Sequence, residues 1–197
     1  MLRRPRRLAL TVAALCLLSA CTPTTIPTPS PAPSYRCTPE AGGDEFDCTP
    51  AQYDEMVAKD KLYAEAEAVY RRFLAEDMRI ARSGGVTEPT KELLETTSGA
   101  FLKNAMNEYR SNLKERITIE GGDREIKSLT RLAGLSKAGS VVAIRSCVDA
   151  TSIRVLKNGK YLGQGLVTRD DLYFSRVDSR LKIIGADGKE VESCEAA

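Results

Sequence analysis

Residues 141–162 read VVAIRSCVDATSIRVLKNGKYL. Val141 to Val148 is a β-branched run with a single charge, suited to a buried strand. Ile153, Val155, Tyr161 and Leu162 then flank Asn158-Gly159, a two-residue signal for a tight hairpin. Downstream, Leu172, Phe174 and Arg176, followed by Leu181 and Ile183, predict one further strand. Asp187-Gly188 predicts the last hairpin turn and Val191 to Cys194 the final strand. Upstream, Ile126, Leu129, Leu132 and Leu135 begin an extended stretch from Glu125, after a break at Gly121-Gly122.

Before that break the pattern is helical. Thr49-Pro50 supplies an N-cap and a proline at the first helical position. No Gly or Pro follows until Gly84-Gly85, which stop the helix. Leu62, Ala66, Val69, Tyr70, Phe73 and Leu74 recur at helical spacing and should face a core, with Glu65, Glu67, Arg71 and Arg72 in water. A helix of about 30 residues is long for a small domain, so its first turns are expected to project. Pro89 starts a shorter helix through Leu93 and Leu94. Ser98 can cap a third, carrying Phe101, Leu102, Ala105, Met106, Tyr109 and Leu113 on one side. Helices followed by an antiparallel meander make an α+β layout, with helices on one face of a curved sheet.

The 197 residues include 29 Lys+Arg, 27 Asp+Glu, six Cys and no His. Without His there is no Ser-His-Asp or Cys-His machinery and no imidazole metal ligand. No Ser elbow, CxxC or HExxH is present either. Gly163-Gln164-Gly165 has no phosphate-binding context and reads as a loop or bulge. These observations predict a non-enzyme without a metal or a cofactor.

The N-terminus reads as an address. Arg3, Arg4, Arg6 and Arg7 precede a short apolar run, Leu8 to Leu18, and then Ser19-Ala20-Cys21. This is the layout of a secretory signal. Leu18-Ser19-Ala20-Cys21 also resembles the bacterial lipobox, in which cleavage precedes a Cys that receives a diacylglyceryl group. That resemblance implies a signal peptide over residues 1–20, a lipid anchor (palmitate included) on Cys21, and a place on the outer side of the cell membrane. Cleavage would leave 177 residues, with 25 basic against 27 acidic side chains, a net charge of −2. A nucleic-acid partner is not supported.

Residues 21–36 form a Pro/Thr-rich linker, in which Pro23, Pro27, Pro29, Pro31 and Pro33 favour an extended, disordered stalk reaching on the order of 45 Å. Cys37 and Cys48 bracket a small loop, residues 37–48. In an exported protein such a near pair is oxidised, for about 3 kcal/mol in the chain-entropy picture. Inside it, Gly42-Gly43-Asp44-Glu45-Phe46 resembles the signature of diguanylate cyclases. The match is rejected: that motif sits on a hairpin deep in its own α/β domain, whereas only a signal and a spacer precede it here. The spacing of a Ca²⁺-binding EF-hand is missing too.

Residues 49–197 resemble, by element order and by Ser146-Cys147-Val148-Asp149 with a later hairpin and a C-terminal Cys, the NTF2-like (cystatin-like) domain of lipoproteins from actinobacteria and their phages or mobile elements. The resemblance implies three N-terminal helices packed on one curved antiparallel sheet. It also implies neighbouring strands for Cys147 and Cys194. Four Cys allow three pairings; Cys37–Cys48 with Cys147–Cys194 is the one expected.

An NTF2-like cone has a cavity between helix and sheet. Candidates for it are Tyr70, Phe73, Asp149 and Tyr173, with Asp170, Asp171 and Asp178 as further acids. Asp170-Asp171 reads as an exposed turn. The expected function is an envelope lipoprotein whose non-catalytic domain binds a protein partner or a small apolar ligand. The family resemblance also implies alternatives: a SnoaL-like isomerase or lyase, a conjugation or secretion component of the VirB8-like or TcpC-like kind, or a phage-exclusion accessory protein.

Overall fold

The computed structural model describes residues 34–195. The expected signal, Cys21 and all but the end of the linker lie outside the described residues. Tyr35 and Arg36, assigned to the linker from sequence, belong to β1 (Tyr35–Cys37), which pairs antiparallel with β2 (Phe46–Cys48). The Cys37–Cys48 disulfide closes this hairpin. It lies on the N-terminal half of α1 (Pro50–Arg82). Tyr35 packs 5.3 Å from Tyr53 between ring centroids, and the Tyr63 hydroxyl donates to Glu40 at 2.6 Å. The projecting helix start thus has a cover.

α1 forms where the sequence says it should. Thr49 and Gln52 make a reciprocal capping box, which satisfies two backbone N–H groups that the first turn leaves open. Ala66, Val69, Tyr70, Phe73, Leu74 and Ile80 are buried along one stripe. Ser83 ends the helix, and Gly84 and Gly85 follow with positive φ. At Gly85 a Cβ would stand 2.1 Å from the Tyr109 carbonyl oxygen. Only glycine lets the end of α1 approach α3 (Gly99–Glu115) that closely. Between them α2 (Lys91–Thr96) is a short helix capped by Thr90. Ser98 precedes α3 without a side-chain cap; its N–H donates to the Ile183 carbonyl at 2.9 Å.

The strands are β3 (Ile117–Gly121), β4 (Glu125–Arg131), β5 (Val142–Asp149), β6 (Ile153–Lys157), β7 (Lys160–Gln164), β8 (Val167–Val177) and β9 (Arg180–Glu190). Their pairings are all antiparallel, in two sheets ordered β3-β6-β7 and β4-β5-β8-β9. β5 is the central buried strand expected from its composition, and Asn158-Gly159 turns β6 into β7 with φ of 51° and 74°.

This corrects the NTF2-like expectation of three helices on one curved sheet. The α+β class stands, but one long helix supplies most of the helical packing face. α2 has six residues, and α3 fully buries only Met106 and Tyr109. Among the described residues the strands divide into three sheets, one of them the β1-β2 hairpin. β3 was not anticipated, although Ile117 and Ile119 alternate with Thr118 and Glu120; it is five residues long and none of them is fully buried.

Two strand assignments also change. Leu172 to Ile183 is two strands, turned at Asp178-Ser179, both with positive φ. Asp187-Gly188 is no turn: β9 runs through it, with Asp170 paired to Gly188. A Cβ at Gly188 would lie 2.3 Å from the Asp170 carboxylate, so this glycine makes room for a neighbour. Cys194 lies beyond β9 rather than in a strand. It is nevertheless bonded to Cys147, buried in β5.

Candidate functional site

A cavity of about 520 Å³ lies between α1, α3 and the two larger sheets. Tyr70, Phe73 and Leu74 reach it from consecutive turns of α1, because residues three and four apart share a helix face. Phe101 and Glu108 come from α3, Ile119 from β3, Val148 from β5, and Ile153 and Val155 from β6. The remaining wall is β8, with Thr168, Asp170 and Leu172, and the segment Gln164-Gly165-Leu166 before it. Gly165 is another close approach: a Cβ there would meet the Ala150 carbonyl oxygen at 2.1 Å. Half-exposed Leu166 belongs both to the cavity wall and to the outer surface.

The walls are mostly apolar, and the polar groups gather around Arg124, on the connection between β3 and β4. Its Nη1 donates to Asp77 Oδ2 of α1. Tyr109 of α3 donates to the other oxygen of that carboxylate at 2.6 Å. Arg124 keeps 31% of its side chain accessible, yet burial pulls its guanidinium below the ordinary value, against the opposing charges of Tyr70 and Asp170. The two facts agree if the accessible part faces the cavity that Arg124 lines. Among the described residues its Nε and Nη2 have no partner.

Asp170 points into the same space. Its carboxyl accepts from Thr168 at 3.1 Å. Burial raises its pKa, Thr168 and Arg124 act against that, and Asp171 adds to it. Tyr70 accepts from Ser146 at 3.0 Å, and burial pushes its phenol up to about 12. Burial likewise raises the carboxyl of Glu108, although part of that side chain reaches solvent.

Of the sequence candidates, Tyr70 and Phe73 line the cavity, whereas Asp149 and Tyr173 do not. Asp149 accepts from the backbone N–H and hydroxyl of Thr151 at 2.9 and 2.6 Å; these bonds, the hydroxyl's first, hold its carboxyl below the usual range. It shapes the turn after β5. Tyr173, on the other face of β8, donates to Asp187 at 2.8 Å. Asp170 and Asp171 are not an exposed turn but lie within β8 on opposite faces, Asp171 being held by Arg145 through two bonds of 2.6 and 2.8 Å. Asp178 is in the exposed β8–β9 turn. Arg124 and Asp77 were missed. The available signal was Asp77 on the apolar stripe of α1, three and four residues beyond Leu74 and Phe73.

Among the described residues no group of three or more His, Cys, Asp or Glu side chains could hold a metal ion. No helix among them is long and apolar enough to cross a membrane. No family model matches the chain. No curated protein matches it in sequence. Among solved structures, a de novo designed β-sheet protein is 14% identical, with 67% of this chain and 92% of that chain covered and a TM-score of 0.35. The intermembrane space region of the chloroplast protein ARC6 is 15% identical, with 65% and 95% covered and a TM-score of 0.34.

Proposed function

We propose that this is a lipid-anchored extracytoplasmic protein whose folded domain acts by binding a small apolar ligand, without catalysis. The observation that carries the reading is the cavity of about 520 Å³ with its mostly apolar walls. Its size lies within the roughly 300–1,000 Å³ usual for small-molecule sites. Two disulfides agree with an oxidising compartment outside the cytoplasm. The lipobox-like Leu18 to Cys21 supplies the anchor, through acyl chains whose burial contributes about 0.8 kcal/mol per CH₂.

Two measurements test this. Cell fractionation should find the protein with membranes and the Cys21→Ala variant in the soluble or secreted fraction; unchanged membrane association of the variant removes the anchor. Purified Cys21→Ala protein should enhance the fluorescence of the neutral probe N-phenyl-1-naphthylamine with saturable one-to-one binding. Absence of saturable binding removes the ligand reading.

A further inference from the structure

We propose that the ligand is an amphipathic carboxylic acid of the fatty-acid class, its carboxylate on Arg124 and its apolar body along Phe73, Leu74, Val148 and Ile153. This deepens the binding reading above and depends on it. The observation behind it is a guanidinium set in the wall of a mostly apolar cavity, with donors still open. Arg124 has five N–H groups, and one nitrogen, Nη1, is engaged by Asp77. Nε and Nη2 have no partner among the described residues, and no fully buried side-chain polar atom there lacks one. These two nitrogens are therefore not fully enclosed, and Arg124 lines the cavity. Their fixed fork matches the two oxygens of a carboxylate.

The alternative heads fit less well. A cationic head would have to use Asp170 and Glu108 and would face the guanidinium across the same space. A neutral hydroxyl would occupy one of the two open nitrogens and leave the other. The carboxyls lining the cavity do not bar an anion, since a carboxyl can discharge itself by taking a proton, whereas a guanidinium cannot. Asp170 is already shifted in that direction by burial, and once protonated it becomes a donor. Asp77 has a partner on each oxygen, Arg124 on one and Tyr109 on the other. Tyr70 accepts from Ser146 and keeps its own proton to give. The polar end of the cavity is thus rich in donors, and an oxygen acid supplies the acceptors.

The test uses the full chain carrying Cys21→Ala, so that no detergent is needed. Decanoate, decanol and decylamine are titrated by calorimetry. Decanoate is expected to bind about tenfold or more tighter than decanol, the effect of one charge-assisted contact, and decylamine more weakly than either. Arg124→Met alone would leave Asp77 buried and unpaired, so it is combined with Asp77→Asn. In that pair of substitutions the preference for acid over alcohol should disappear while decanol still binds. Equal binding of decanol and decanoate by the parent, or a preference for decylamine, overturns the head-group inference and leaves the apolar-ligand reading standing. If none of the three binds, both fall. The selectivity of the parent decides the matter even if the double variant does not fold.

Discussion

Arg124 and Asp77 are 47 residues apart in sequence and paired in the structure, joining the β3–β4 connection to the C-terminal turns of the long helix. Tyr109 adds the third element by donating to the same carboxylate. The Asp77 carboxylate therefore joins α1, α3 and the β3–β4 connection beside the cavity.

Removing Asp77 should be among the most damaging polar substitutions in the domain. Asp77→Ala strips Arg124 of its counter-charge and Tyr109 of its acceptor; breaking a fully buried pair from one side costs about 3 kcal/mol or more, and the 31% accessibility of Arg124 places this loss at or below that value. Denaturant unfolding should show this loss. Asp77→Asn combined with Arg124→Met should recover part of it, since no charge is then left alone; equal losses for the single and the double variants would show that the pair is not the source.

Asp170 is a liability at neutral pH. Its carboxyl is raised, chiefly by burial, so the folded state binds its proton more tightly than the unfolded state. The stability it contributes is complete below the unfolded value and is lost as pH rises through the folded one. Asp170→Asn should therefore be more stable than the parent at neutral pH, with the difference shrinking as pH falls towards the unfolded value. Thermal melts across the acid range would read it, and a variant less stable at neutral pH would contradict the sign.

Gly85→Ala should destabilise by about 2 kcal/mol or more, since it combines a positive φ with a backbone clash. Gly85 has φ 110° and the Tyr109 carbonyl oxygen 2.1 Å from its would-be Cβ. Gly134 is the control: its φ is also positive, at 67°, but its Cβ would meet nothing within 4 Å. Comparing the two unfolding midpoints isolates the clash, and similar losses at both sites would dismiss it.

The Cys147–Cys194 bridge holds the segment beyond β9 to the central strand. It closes a loop 47 residues apart in sequence, for which the chain-entropy picture gives about 4 kcal/mol. Cys194→Ser should lower stability towards that amount and expose the last residues to carboxypeptidase while the β8–β9 pairing remains. Unchanged proteolysis would mean that the backbone bond of Val191 to Val167, 3.0 Å, suffices to hold the segment.

What was legible in the sequence was local. Thr49-Pro50 and Gly84-Gly85 bound α1 because capping and left-handed backbone are properties of a few adjacent residues. Asn158-Gly159 turned as expected for the same reason. Asp187-Gly188 failed because the same dipeptide serves a second purpose. Its glycine clears space for Asp170 across the ladder, which no window around residue 187 contains. Asp178-Ser179 turned without any glycine at all.

The cavity followed the same division. Tyr70 and Phe73 were found because they sit on the buried stripe of a helix, a pattern with a period. Asp149 and Tyr173 were candidates by residue type, as the NTF2-like resemblance implied, and strand geometry sent Asp149 to a turn and Tyr173 to the opposite face. Residue type, capping and periodicity determined the long helix, the central strand and the expectation of two bridges. Only the tertiary structure decided that the strands divide into separate sheets and that Arg124 meets Asp77 of the long helix. Such contacts are set by packing between distant segments, and the free energy of that packing belongs to no single stretch of chain.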